Sequence, residues 1–166
     1  MMMRRLVRTS FAIVLVFFGV VPSLAHAQDD PSPTDGIVLP NESLTAQSDS
    51  ASLEVNPAGL GYMSTGELSF GWHMASEDLQ EVDPSGQALF LAGGTGTVGG
   101  GFGVQWMNRP ELGPDLKDYR KYTFGAGFST VTNLALGIGL NLFGSAKSEQ
   151  LDDLTSWDFG VQWRPL

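Results

Sequence analysis

Gly94, Gly96 and Gly99 stand at the G-x-G-x-x-G spacing of a dinucleotide-binding loop, within the stretch "LAGGTGTVGGGFGVQW". Such a loop binds phosphates because a helix N-terminus directly follows it, and it needs an acidic residue about 20 positions on. Here "GGFGVQW" alternates like a strand, and the acidic residues from Glu111 onward come too early and in a predicted loop. We therefore interpret "GGTGT" as a tight turn, followed by a strand with a small inner face. That inner face comprises Gly99, Gly101 and Gly103.

The remaining candidates for chemistry are one histidine and two pairs of carboxylates. His73 lies on the polar face of a predicted strand, which favours an interior hydrogen-bonding residue over a catalytic base. Glu77-Asp78 and Asp152-Asp153 lie in predicted loops and could hold calcium with backbone oxygens, but no EF-hand loop accompanies them, so we interpret them as solvated loop charge. The sequence has no cysteine, Gly-x-Ser-x-Gly or His-Glu-x-x-His. We predict no enzymatic activity, no cofactor and no metal site.

Residues 1–27 read as a secretory signal peptide. They have a basic start, an apolar run over residues 11–21 closed by Pro22, and an Ala25-x-Ala27 ending. The apolar run has about half of the roughly 20 residues that a membrane-spanning helix needs. Cleavage would leave six basic against 18 acidic residues, a net charge of −12. Such a charge excludes nucleic acid as a partner.

Two segments precede the strands. Residues 28–50 are rich in Pro, Ser and Asp, and we predict a flexible acidic lead-in. In residues 51–65, Asn56 can cap a short helix whose first position suits Pro57. Because Gly59 and Gly61 follow so soon, we predict one helical turn at most.

From Gly66 to residue 166 the apolar residues recur at every second position, which predicts strands. Each strand has a large apolar face and a face of small and polar residues. We expect an all-β fold, an antiparallel meander of about six strands. The six segments are "ELSFGWHM", the less regular "QALFLAG", "VGGGFGVQW", "YTFGAGFS", "LALGIGLNL" and "SWDFGVQWR".

Long acidic connections alternate with short turns along this meander, as in outer-membrane β-barrels. The non-apolar faces carry Gly, Ser, Thr, Asn and Gln, which suits a narrow wet lumen better than a surface in bulk water. Aromatic residues near the strand ends would suit a membrane-interface girdle. They are Trp72, Trp106, Tyr122, Trp157 and Trp163. A soluble periplasmic or surface β-sandwich that binds a partner through its acidic loops is the alternative.

Four charged or titratable residues would face the lumen of such a barrel: Glu67, His73, Asp158 and Arg164. They would either tune selectivity or pair with other groups. We favour pairing, since a lumen must satisfy its own charges.

Closure of the barrel needs more strands than this sequence supplies. Six strands are fewer than the eight of the smallest single-chain outer-membrane barrels, and an open sheet in lipid leaves costly unpaired backbone groups. Either further strands lie outside this sequence or other chains must assemble. The ending at Pro165-Leu166, in place of an aromatic residue, favours a fragment of a longer protein.

Asn56, Pro57 and Ala58, extended by Gly59 and Leu60, lead into the first strand. This motif beside a Gly-rich meander resembles FadL-like and PorV-like bacterial outer-membrane proteins. The resemblance implies an N-terminal segment that plugs or lines the barrel and hydrophobic small molecules as cargo. The family's barrels are longer than this chain.

The chain from residue 51 to residue 165 also resembles the barrel-like N-terminal region of some long bacterial signal-peptide-peptidase-like proteins. No serine-lysine machinery can be placed here, so this second resemblance implies no protease activity. We therefore expect a bacterial outer-membrane protein, in contact with outer-membrane lipid, with a transport, binding or scaffold role.

Overall fold

A computed structural model describes residues 36–37, 48–74, 85–109, 118–130, 133–145, 148–152 and 154–164. The predicted signal peptide, most of the lead-in, and the carboxylates Glu77, Asp78 and Asp153 lie outside the described residues.

The chain is mostly β, and its six antiparallel strands form one sheet in meander order. The predicted antiparallel meander of about six strands is confirmed. The sheet is not closed, since β1 and β6 each pair with one neighbour among the described strands. The strands are β1 (Gly66–His73), β2 (Ser85–Gly94), β3 (Val98–Asn108), β4 (Asp118–Ser129), β5 (Leu134–Gly144) and β6 (Thr155–Trp163).

The four central strands, β2 to β5, extend further toward the long connections than the alternation predicts. β4 begins at Asp118, inside a predicted loop, and its partner there is Asn108 of β3. The Asn108 amide donates to Asp118 at 2.5 Å, and the Tyr119 ring lies 6.1 Å from the Phe143 ring of β5. These side-chain contacts continue the strand pairing into a stretch whose charged residues are typical of a loop.

Short helices precede β1 and β6. Helix α1 (Ser52–Val55) leads into a 3₁₀ helix (Pro57–Tyr62), and helix α2 (Glu149–Asp152) lies between β5 and β6. Our prediction of a single helical turn ended by Gly59 and Gly61 is wrong, because both glycines lie inside the 3₁₀ helix. Among the described residues, no helix has the length and apolar content that crossing a bilayer requires.

We call residues 50–63 the inner segment, because they pack against one face of the sheet. Leu53, Ala58 and Leu60 of this segment are completely buried, and so is Ala88 of β2. Phe90, also inward, fills the space left by Gly103 on the neighbouring strand. The core therefore lies between the inner segment and this inner face of the sheet.

The opposite, outer face of the sheet is apolar and exposed. Phe124 in the middle of β4 is 45% exposed and Phe159 of β6 is 78% exposed. Large apolar side chains of all six strands share this exposure. Examples are Leu68, Phe70, Trp72, Leu91, Phe102, Trp106, Phe128, Leu136, Ile138, Trp157, Val161 and Trp163.

Candidate functional site: the inner face and its buried segment

Glycines of four strands form the floor on which the 3₁₀ helix lies. A Cβ atom added to any of them would come within 3.0 Å of the inner segment. At Gly127, for example, it would lie 2.5 Å from the Gly61 nitrogen and 2.7 Å from the Pro57 oxygen. The four are Gly99 of β3, Gly127 of β4, Gly137 of β5 and Gly160 of β6. Their lack of side chains allows helix backbone to approach strand backbone directly.

The Asn-Pro-Ala motif lies over β5 and β6. The Asn56 side chain accepts a hydrogen bond from the Ala58 N–H at 3.2 Å, which caps the 3₁₀ helix. Its amide also donates to the Val161 carbonyl of β6 at 3.4 Å. Pro57 occupies the first helical position, where no N–H is needed. The motif thus starts the helix and joins it to the edge strand.

A buried ion pair fixes helix α1 to the centre of the sheet. The Lys121 ammonium lies 2.5 Å from a Glu54 oxygen, and the two side chains are 3% and 10% exposed. The other Glu54 oxygen accepts from the Gln105 amide at 2.5 Å. The Gln105 carbonyl oxygen in turn accepts from the Ile37 N–H at 2.7 Å. One carboxylate thereby connects the inner segment to β3 and β4.

A second polar network crosses β4, β5 and β6 on the inner face. The Thr123 hydroxyl donates to the Asn141 carbonyl oxygen at 2.7 Å. The Asn141 amide donates to Asp158 at 2.6 Å and to Ser156 at 3.1 Å. The inward polar side chains of these three strands therefore satisfy one another's hydrogen-bonding groups across the sheet.

The four predicted lumen residues lie on the inner side, but the structure does not bring them together. Glu67 and His73 are on β1, whereas Asp158 is on β6 and Arg164 directly follows β6. Glu67 accepts from the Ser50 hydroxyl at 2.8 Å. The Arg164 guanidinium lies 4.2 Å from the centre of the Tyr62 ring. The two pairs thus occupy opposite edges of the open sheet.

Sequence reasoning missed Glu54, Gln105 and Lys121 as a joined set. The alternation that puts Gly103 on the inner face of β3 also puts Gln105 there, and the alternation of β4, continued one residue before Tyr122, puts its partner Lys121 there too. Glu54 carries no comparable signal, since its partner lies 67 positions away in the sequence.

The glycines at dinucleotide-loop spacing form a turn between two strands. Gly94 ends β2, Gly96 has a φ of 85°, and Gly99 belongs to β3. The Thr95 N–H donates to the Val98 carbonyl at 2.9 Å, which closes the turn. No helix follows the glycines, so the turn lacks the N–H groups that would bind a phosphate.

Within the described ranges, no three His, Cys, Asp or Glu residues are grouped so that they could hold a metal ion. Asp152, predicted in a loop, belongs to helix α2 and accepts from the Ser145 N–H at 2.5 Å.

Comparison of the chain with protein-family models, curated proteins and solved structures returned no match.

Proposed function

We propose that this chain is an exported component of an outer-membrane β-barrel, with a binding, passage or scaffold role and no enzymatic activity. Its own inner segment fills the inner face. The observation that carries the proposal is the outer face of the sheet, which exposes large apolar side chains on all six strands. The inner face, where Gly, Thr, Asn and Gln lie beside Phe90 and Phe143, is covered by the inner segment. In water, a sheet with one covered face carries polar side chains on its uncovered face, whereas the outward side chains of outer-membrane strands are apolar.

The position of the tryptophans supports the same proposal. Trp72 and Trp106 lie on the outer face near the long connections, and both are opposite Gln87 in the sheet register. Trp163, also outward, ends β6 on the side of the short turns. Aromatic side chains at both ends of an outward apolar band are typical of membrane barrels.

In the described part of the chain, the position of the inner segment supports a lumen that is blocked rather than open. Its buried helices contact the strands through the glycine floor and the Glu54 ion pair. Passage of a solute would therefore require displacement of this segment. We include in this proposal the hydrophobic small molecules that the resemblance to FadL-like proteins implies as cargo.

The test compares two apolar-to-charged substitutions on the outer face. Phe124→Arg places a charge in the middle of β4, and Met74→Arg places one just beyond the end of β1. In a bilayer a cation costs about 2–4 kcal/mol at the midplane and about 0–1 kcal/mol near the interface. We expect Phe124→Arg to lower the amount of chain recovered in carbonate-washed outer membranes, and Met74→Arg to leave it near wild type.

Two results would contradict the proposal. One is equal recovery of both variants and wild type in the membrane fraction. The other is a chain that stays soluble and monomeric in the periplasm without detergent, which the β-sandwich alternative predicts.

A further inference from the structure

At each edge of the sheet, an inward carboxylate is followed six residues later by a nitrogen-bearing side chain. On β1, Glu67 precedes His73 by six residues, and at β6, Asp158 precedes Arg164 by six residues. Antiparallel strands run in opposite directions, so one register places Arg164 opposite Glu67 and Asp158 opposite His73 at the same time. Opposite charges across a strand pair are stabilising.

From this complementarity we infer that β6 of one chain pairs with β1 of a second copy, and β1 with β6 of that copy. The two six-stranded sheets then close one barrel of twelve strands around both inner segments. This inference rests on the proposed outer-membrane function, because lipid forbids open sheet edges.

The outer face agrees with this register. It places Trp163 opposite Leu68, Val161 opposite Phe70 and Phe159 opposite Trp72. All six side chains are exposed on the single chain, from 55% for Phe70 to 78% for Phe159. The pairing therefore continues the apolar band across both new seams.

The strand tilt agrees as well. Cross-strand partners lead from Gly66 of β1 to Phe159 of β6. In the proposed register Phe159 faces Trp72 of the second copy, six residues beyond Gly66 along that strand. A shift of six residues across six strands amounts to about one residue, or about 3.4 Å, for each strand spacing of about 4.8 Å. This corresponds to a strand tilt of about 35°. Membrane barrels have tilts of about 35–45°.

Closure of a single chain on itself would not leave room for the inner segment. A barrel of six strands at this spacing and tilt has a backbone radius of about 5–6 Å, whereas a helix with side chains is about 10–12 Å across. In the structure the inner segment spans both edges, because Ser50 bonds to Glu67 of β1 and Asn56 to Val161 of β6. An open groove of about 430 Å³ runs between the inner segment and β6.

Disulfide crosslinking tests the register directly, since the sequence contains no cysteine. Two full-length chains with different tags are co-expressed, one with Val161→Cys and the other with Phe70→Cys. We expect mild oxidation of isolated outer membranes to join them into a heterodimer. The control pairs Val161→Cys with Trp72→Cys, where the diagonal separation exceeds the roughly 7 Å limit for a disulfide. It should crosslink about tenfold less.

Charge reversal tests the complementarity in the same assay. Glu67→Arg on both chains, or Arg164→Glu on both, should lower the Val161–Phe70 crosslink about tenfold through like-charge repulsion. The combination of both reversals on each chain should restore it.

The outcomes separate this inference from the proposed function. A membrane-inserted chain that forms no heterodimer, or that crosslinks equally well in the control pair, overturns the pairing and leaves the outer-membrane proposal intact. A chain that does not enter the membrane overturns both.

Discussion

At the scale of single residues, Lys121 shows where sequence alternation stops being informative. A lysine beside Arg120 and Asp118 resembles the start of a solvated loop, yet Lys121 is 2% exposed and bonded to Glu54. The alternation of β4 fixes the side of the sheet on which Lys121 lies. The partner that makes its burial tolerable comes from a helix distant in sequence, which local periodicity does not reveal.

Removal of the Lys121 charge tests this ion pair. Lys121→Met should lower the free energy of unfolding by about 3–5 kcal/mol, because it leaves the Glu54 carboxylate buried without its cation. Arg120→Met, on the exposed side of the same strand, should change it by less than about 0.5 kcal/mol. Denaturant unfolding in detergent micelles measures both, and equal effects would contradict the role of the pair.

At the scale of elements, the period-two pattern predicted all six strands and their order of long and short connections. It predicted the inner segment less well. Glycines normally end helices, but Gly59 and Gly61 continue this one, and the opposing Gly127 and Gly137 allow a close approach of backbones. That packing joins residues of the 3₁₀ helix to strands far along the chain, and the sequence near Asn56 does not indicate it.

A pair of glycine substitutions tests this close approach. In Gly137→Ala the new methyl group would lie within 3.0 Å of the inner-segment backbone, whereas at Gly71 nothing lies within 4 Å. We expect Gly137→Ala to destabilise the fold by about 1–3 kcal/mol. We expect Gly71→Ala to be neutral or to stabilise by up to about 1 kcal/mol.

Limited proteolysis of the two glycine variants gives a second readout. The inner segment should be cleaved faster in Gly137→Ala than in Gly71→Ala, because its contact with β5 is weakened. Identical cleavage rates and stabilities would contradict the glycine floor.

At the scale of the whole molecule, the alternation predicted two unlike faces and the structure shows what each one contacts. Within the described ranges, the inner segment covers the inner face and the apolar outer face is exposed. The sequence does not indicate what pairs with the edge strands β1 and β6. The matching spacing of Glu67 and His73 with Asp158 and Arg164 becomes informative only once the structure shows that these residues lie at the two edges of the sheet.

Export can be checked on the intact chain. Cleavage after Ala27 should leave a mature protein that begins at Gln28, and mass spectrometry of protein purified from membranes reads this directly. A protein that retains residues 1–27 would contradict the signal-peptide interpretation.

The central claim is that the outer face contacts lipid, and tryptophan fluorescence tests it most directly. All four tryptophans, Trp72, Trp106, Trp157 and Trp163, are exposed on that face. In vesicles made with brominated phospholipids, we predict blue-shifted emission that the bromine atoms quench and aqueous iodide does not. Emission quenched by iodide and unaffected by brominated lipid would contradict the account.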